Sequence, residues 1–527
     1  MSAVSGTRAG SRWGPALYAL GATTCVAGFL LHLPMFFAAR SEHYRLAGMP
    51  MDGAMIAGMA LLVAGLVVAL VGLVLGTAPR GQVVTTTFVA LDRSRLTRRH
   101  AIILVTVAVA VVIDLTKTTT LAFAMPGMAV EYGLKSPANP TGEVPVSLLA
   151  LAGLTGTVLG SLLWGWLADV LGRRAAIMLA SVVFVSTAAC GAMPSFGWNL
   201  VMCLAMGAGA GGMLPIAYSL LTEIVPARHR GWLVILIGGN TAGAYALTSW
   251  LAGELTPTFG WRALWLIGAP TGLLLVVLSR FVPESPRFLM ATGRPEEAAR
   301  VMQRLGVEAG GDQPQPATHA RRSTLLTAVC ALALAAGVLQ FGFQLWMPAN
   351  LQQLGFSPRD TDFMLRDAAL LGAPVTLAVA LAYGLWNAKL TMILLSVATA
   401  VAVSAFALLP DDLVLDRGVA VPLLMLPLAG ISALGAAVIA YAAELAHTGH
   451  RGRVTGLVAG ATKFGGLAVV GWSTLGMAAP TITATAVVGV VPLVVALVAF
   501  ARVVALDPRD VPLDGALQPE LDPVPVP

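Results

Sequence analysis

Residues 165–174 read GWLADVLGRR, a charged turn punctuated by glycine between two long apolar runs. A helix ending near Ala168 and another beginning near Arg174 leave only a few residues for the connection. Asp169 therefore falls at a helix end, where Arg173 and Arg174 can neutralise it. Gly165 lets helix backbones approach closely and Gly172 lets the chain turn. Long apolar helices joined by so short and so charged a loop belong to a chain that crosses a bilayer many times.

The composition agrees. Of 527 residues, 57% are hydrophobic and 11% charged, and the mean hydropathy is +0.82, beyond the range of soluble domains. Since about 20 apolar residues cross the hydrocarbon core as a helix, fourteen spans can be placed: 15–38, 53–76, 101–125, 147–168, 174–193, 200–222, 232–255, 263–282, 323–347, 366–386, 390–409, 418–442, 454–478 and 480–503. The expected class is an all-α integral membrane protein. With the N-terminus inside, 23 of the 32 lysines and arginines lie on the cytoplasmic side and seven outside, as basic loops require. The net charge of +6 is then a topology signal, and nucleic acid is excluded as a partner.

Arginine outnumbers lysine 28 to four, a bias that points to a GC-rich bacterial genome. The expected location is the plasma (inner) membrane, multi-pass, with both termini cytoplasmic. The first span, flanked by Arg8 and Arg12, is too long for the apolar core of a signal peptide and is expected to be retained. Cys25, Cys190, Cys203 and Cys330 fall inside spans with no CxxC or Cys/His spacing, so neither a disulfide nor a metal site is expected. No nucleophile–base constellation or nucleotide loop marks an enzyme, and no cofactor is expected.

Residues 216–231, IAYSLLTEIVPARHRG, return as 439–452, IAYAAELAHTGHRG, so that Glu223 and Arg230 recur as Glu444 and Arg451 with the same spacing. At nearly the same offset, Gly384–Lys389 (GLWNAK) echoes the turn at 165–174, keeping the glycine and a base but not the aspartate. The turn resembles the loop between spans 2 and 3 of the major facilitator superfamily, whose signature reads G-x-L-x-D-x-x-G-R-R; Gly165, Leu167, Asp169, Gly172, Arg173 and Arg174 match it. The resemblance implies two six-helix halves about a central cavity, exchanging access by rocking. The organisation it implies is a two-span prefix and basic linker (1–100), an N-terminal half (101–282), a cytoplasmic loop (283–322), a C-terminal half (323–503) and a disordered tail (504–527). The prefix departs from other fourteen-span members, which usually carry the extra pair between the halves.

Pro283–Leu289, PESPRFL, with Gly293-Arg294 and Glu296–Ala298, is similar to the segment after the sixth span in the sugar-porter, organic-ion and aromatic-acid branches. Pro283 ends a span and Pro286 can open a helix, while 294–306 has amphipathic spacing. The drug/proton antiporter branch carries a Gly-Pro pair in its fifth span; here that span reads IGGNTAGAYALTSWLAG (237–253), without one.

Two sets of charged residues have different expected roles. Asp169, Arg173, Arg174, Glu223, Arg230, Glu284, Arg287, Glu444 and Arg451, with Gly165 and Gly172, sit at cytoplasmic span ends and suit an ion network that closes an inner gate through weak, exposed pairs. Asp114, Lys117 and Lys463 lie mid-span, where a charge costs about 2.5–3.5 kcal/mol, so each needs a cavity or a partner. Asp114 and Lys117 share a helix face and can neutralise each other; alternatively Asp114 is the protonatable coupling group, as the resemblance to proton symporters implies. Protonation of Asp114 would then release Lys117 to bind an anion; Lys463 needs a carboxylate from elsewhere or an anionic solute, and Asn240, Gln340 and Gln344 can complete a solute site around the two lysines. The expected function is proton-coupled transport of a small organic solute, an organic anion or carboxylate, by a monomer. Two alternatives stay open: a proton-driven exporter of a drug or secondary metabolite, and a non-transporting membrane sensor or assembly partner.

Overall fold

The computed structural model describes residues 13–77, 89–136, 139, 141–307, 322–409, 416–446, 450–475 and 482–503; the expected tail at 504–527 lies outside them. In chain order the helices are α1 (Gly14–Glu42), α2 (Gly53–Gly76), the single turn α3 (Val89–Asp92), α4 (Arg98–Glu131), α5 (Ser147–Leu171), α6 (Arg173–Ala192), α7 (Phe196–Ile224), α8 (Ala227–Gly238) and α9 (Thr241–Phe259). They continue with α10 (Arg262–Phe281), α11 (Pro286–Ala291), α12 (Pro295–Leu305), α13 (Thr324–Gln353), α14 (Pro358–Leu385), α15 (Ala388–Ala407), α16 (Arg417–Leu445), α17 (Arg451–Thr474) and α18 (Ile482–Val503). Side chains that close the first turn set several starts: Thr97 and His100 form a capping box on α4, and Ser195, Ser285 and Asn387 cap α7, α11 and α15.

Twelve helices among the described residues are long and apolar enough to cross a membrane. The fourteen spans expected from the sequence are not all reached. The stretch 232–255 is divided between α8 and α9 by a turn at Gly239 and Asn240. The last span, α18, has a shorter apolar part, Ala486–Arg502.

The prefix is a tight helical pair. Gly14, Gly21 and Gly28 recur every seven residues on α1, and Gly58, Gly65 and Gly72 do so on α2. Antiparallel packing brings them face to face: a Cβ on Gly14 would lie 2.9 Å from the Gly72 carbonyl oxygen, and one on Gly28 2.8 Å from that of Gly58. Small residues allow this approach in lipid, where packing rather than hydrophobicity drives association. His32 completes the pair, its Nδ1 2.8 Å from the Gly28 carbonyl oxygen. The prefix docks on the N-terminal half through the Tyr18 hydroxyl, which donates to the Met178 carbonyl, and through the amides of Leu46 and Ala47, which donate to Glu131. Arg262 and Trp261 hold the same carboxylate from α10 and its approach, at 2.7 and 2.8 Å.

The two halves, α4–α10 and α13–α18, meet chiefly where α5 runs along α17 and where α8 and α9 run along α14. On the face away from the basic loops, Thr474 donates to Ser147 at 2.9 Å, Ser249 to the Asp362 carbonyl, and Tyr245 to the Gln344 carbonyl at 3.4 Å. On the basic face Gly165 of α5 crosses Gly452 and Gly456 of α17. The pseudo-symmetric crossing sets Gly384 of α14 against Gly231 and Trp232 of α8, with Gly384 Cα 3.4 Å from the Cβ position of Gly231. The halves are thus sealed at both ends.

Replacing Gly21 by Leu should force α1 off α2 at a cost of about 1–3 kcal/mol and lower the melting temperature of the purified protein in detergent. An unchanged melt would mean that the glycine faces do not hold the prefix together.

Candidate functional site

On the basic face the chain builds an ion network from loop and helix-end residues. Gly172, at φ +100°, turns α5 into α6, and a Cβ there would strike the Glu284 carboxylate and the Phe288 ring. Glu284 accepts from the amides of Arg173 (2.8 Å), Arg174 (3.2 Å) and Ser285 (3.0 Å), so a carboxylate closes the positive end of α6. Burial pushes the Glu284 carboxyl above its usual range, against these amides and Arg173. Arg173, freed from that duty, sends its guanidinium to Asp169 at 3.2 Å and to Glu223 at 2.9 Å.

Glu223 is where the halves meet. The same oxygen that takes Arg173 takes Arg451 of the C-terminal half at 3.0 Å, and both guanidiniums are buried. Arg451 also donates to the carbonyls of Ala443 and Ala446, tying down the end of α16. The repeated Glu and Arg therefore pair across the halves rather than within one: Glu223 with Arg451, and Arg230 in electrostatic reach of Glu444, which accepts from Tyr383 at 3.1 Å. Asp169 adds a one-sided link, accepting from the amides of Gly452 (3.1 Å) and Arg453 (2.9 Å) at the start of α17. Its counterpart in GLWNAK is missing, and Asn387 there caps its own helix instead.

Two expectations change, and one residue joins the network that the sequence did not single out. The ion pairs are buried rather than exposed, so they are not the weak surface pairs anticipated; breaking one strands a buried charge. Arg174 contributes its backbone amide, not a bond to Asp169. Asp92, in the linker after the prefix, bonds both Arg230 and Arg287, the latter at 2.9 Å. Burial works to raise the Asp92 carboxyl, but the two guanidiniums outweigh it and hold it below the usual carboxylate range. Its clamp is therefore complete above about pH 4 and fades only as pH falls through the lowered value. Nothing in its local sequence marks it, since a lone acid in a basic linker has no period.

Between the two seals lies a cavity of about 20 Å³, room for roughly one water molecule. Among the described residues Lys463 of α17 is the one charged residue lining it; Gln340 of α13, Tyr218 of α7 and Ser432 of α16 line it too. The Tyr218 and Ser432 hydroxyls are buried without a hydrogen-bond partner. Lys463 rests over the Phe341 ring, 5.0 Å from its centroid, a contact that suits a partly desolvated ammonium. Asp114 is buried next to the lining residue Leu115. Its strongest electrostatic neighbour is Lys463, ahead of Lys117.

The other sequence candidates lie elsewhere. Lys117 turns into the N-terminal half, 4.6 Å above the Phe184 ring, beside Cys190 and Cys203, where only a glycine at 268 leaves room for it. Its ammonium has no hydrogen-bond partner and no ion pair with Asp114. Asn240 opens onto a separate crevice of about 380 Å³ between α4, α8 and α14. Gln340 and Gln344 are parted by a π-helical segment, Gln340–Gln344, whose wider turn removes the shared face that an α-helix gives positions i and i+4; Gln344 is buried with its side-chain oxygen unpaired. Tyr218 and Ser432 escaped the sequence reading, although Tyr218 belongs to the repeated IAY triplet.

The family model described as Major Facilitator Superfamily matches residues 107–470. The niacin transporter NiaP of Acinetobacter baylyi is 29% identical over 40% of this chain and 47% of its own length. The 4-hydroxybenzoate transporter PcaK of the same organism is 30% identical over 39% and 44%. The chain thus spans about half the length of the curated relatives it matches. Among solved structures, the partially occluded inward-open xylose transporter XylE from E. coli aligns with a TM-score of 0.59 at 16% identity, over 77% of this chain and 98% of that one. The human organic anion transporter MFSD10 aligns at 0.56 and 18%, over 76% and 99%.

Replacing Arg451 by Ala leaves Glu223 with half its countercharge and should cost the closed state about 3–5 kcal/mol. Spin labels on the basic-face ends of α5 and α17 should then report a longer distance, with Glu223→Gln giving a change in the same direction. Identical distance distributions in all three proteins would remove the network from gating.

Proposed function

Because this chain belongs to the Major Facilitator Superfamily, we propose that it is a secondary active transporter that moves a small organic anion, a carboxylate, across the plasma membrane in exchange of access between the two faces, driven by protons. The basic face is cytoplasmic in this reading, with both termini inside, and the working unit is the monomer. The observation that carries it is Lys463, the one cation on the central cavity among the described residues, with Asp114 as the acid in its field from the opposite half.

The chemistry follows from charge balance in a medium that tolerates little net charge. With Asp114 ionised, its charge and that of Lys463 compensate each other across the halves. Protonation of Asp114 from outside removes that compensation, and Lys463 then needs another anion, which the solute carboxylate supplies. The unpaired Tyr218 and Ser432 hydroxyls and the Gln340 amide are placed to bond the solute's polar atoms, and a buried hydroxyl without a partner rewards any ligand that satisfies it. The cavity must widen to accept a solute, by rocking of 101–282 against 323–503, and reopening toward the basic face breaks the Glu223–Arg451 pair. Release of solute and proton restores the Asp114–Lys463 balance. Lys117, held in the interior of its own half, takes no part in solute binding. The names of two relatives, niacin and 4-hydroxybenzoate transporters, support a carboxylate, and the proton:xylose symporter XylE shares the fold.

Proteoliposomes given an inward proton gradient should accumulate a labelled aromatic or aliphatic carboxylate and not a hexose or a lipophilic cation; loss of preloaded cation under the reversed gradient would instead make the protein an exporter. Asp114→Asn should abolish gradient-driven accumulation while sparing solute exchange, and accumulation that survives would exclude Asp114 as the coupling acid. Lys463→Gln should raise the half-saturation concentration for carboxylates about tenfold or more, the scale of one lost charge-assisted bond; unchanged kinetics would take Lys463 out of the site.

A further inference from the structure

A second cavity, of about 420 Å³, opens on the basic face at the edge of the N-terminal half, away from the central one. Four arginines from four elements line it: Arg99 in the first turn of α4, Arg174 in the first turn of α6, Arg280 near the end of α10 and Arg304 near the end of α12. None forms an ion pair among the described residues. The Arg174 Nε is buried with no hydrogen-bond partner, and the Arg280 guanidinium lies over the neighbouring Phe281 ring, 4.8 Å from its centroid. No carboxylate lines it among the described residues, and Glu284, beside the lining residue Pro283, is committed to the amides of α6.

The remaining wall is apolar. On α4, Arg99 shares a face with Ile102 and Ile103, and on α12 Arg304 shares one with Val301, the spacing that sets neighbours on one helix side, while Leu305 lines the cavity as well. Ile102 and Phe281 are about half exposed and face outward, where lipid would be. A cavity that is cationic at one end and hydrocarbon at the other, at the level where spans leave the membrane, matches an anion that carries its own acyl chains. A freely soluble anion would leave the apolar wall unused.

We propose that this cavity binds the phosphate headgroup of an anionic phospholipid in the leaflet on the basic face, with an acyl chain laid along Ile102 and Phe281. Basic pockets between membrane helices commonly take such headgroups. The bound lipid would set its phosphate among the four guanidiniums, offsetting part of their charge, and tie α12, which follows the N-terminal half, to the starts of α4 and α6. It requires nothing of the solute carried, so it stands or falls independently of the transport reading.

The full chain in bilayers of phosphatidylcholine doped with spin-labelled phosphatidylglycerol supplies the test. The expected result is a motionally restricted lipid population displaced by unlabelled phosphatidylglycerol, but not by phosphatidylcholine or by inorganic phosphate. Arg304→Gln with Arg280→Gln should lower the affinity of that population at least tenfold, and the paired lysine substitutions at 280 and 304 should recover most of it with an unchanged melting temperature. Arg304→Gln alone, on a peripheral helix, keeps the test open if the double variant does not fold, with a loss of several-fold expected. Equal retention of the two lipids, or an affinity indifferent to these substitutions, overturns the site; displacement by inorganic phosphate assigns it to a soluble anion and overturns the lipid.

Discussion

A buried carboxylate without water must be held by cations, and Glu223 is held by two that belong to different parts of the molecule. Arg173 comes from its own half and Arg451 from the other, and both reach one oxygen. Removing either partner exposes the remaining charges to the full cost of burial, which is far larger than the net worth of the intact pair. The contact is therefore poorly suited to partial opening: the halves are together with every charge met, or apart with water admitted to each. The turn at Gly172, the capping of α6 by Glu284 and the glycine crossings at Gly165 and Gly384 all act to bring these side chains within bonding distance.

Much of this was legible in the sequence because it rests on backbone geometry and repetition. The turn at 165–174 and the returning Glu and Arg announce helix ends, and helix ends place charges reliably. Direction within a span is another matter. Asp114 and Lys117 are three residues apart and share a helix face, yet the long lysine stem swings into its own half toward Phe184, where Gly268 leaves space, and spacing cannot reveal a vacancy made by another helix. Gln340 and Gln344 fail to share a face because a π-helical turn intervenes, and nothing in QFGFQ announces one. The hydroxyls of Tyr218 and Ser432 look like ordinary span residues until the opposite half is brought against them.

The pseudo-symmetry is incomplete in an instructive way. The two glycine crossings mirror each other, and Glu223–Arg451 mirrors Arg230 and Glu444, but Asp169 has no twin and Arg230 receives Asp92 in addition. Asp92 belongs to neither half. It comes from the linker that joins the prefix to the core, so the first hundred residues are coupled to the basic-face network as well as packed on α6. A prefix anchored at Glu131 on one face and through Asp92 on the other spans the full thickness of the N-terminal half.

The central cavity holds about one water, and a sealed form of that size has no affinity for any solute. It competes with binding. Under the proposed transport function a solute would meet only the fraction of molecules that have opened, and its apparent dissociation constant would be the intrinsic one divided by that fraction. In that reading, the stronger the buried ion network, the weaker the apparent hold on a solute would be. In the proposed transport reading, residues many ångströms from Lys463 would thereby set the working concentration range, and the apparent affinity could be retuned at Glu223 or Arg451 without altering an atom that touches the solute.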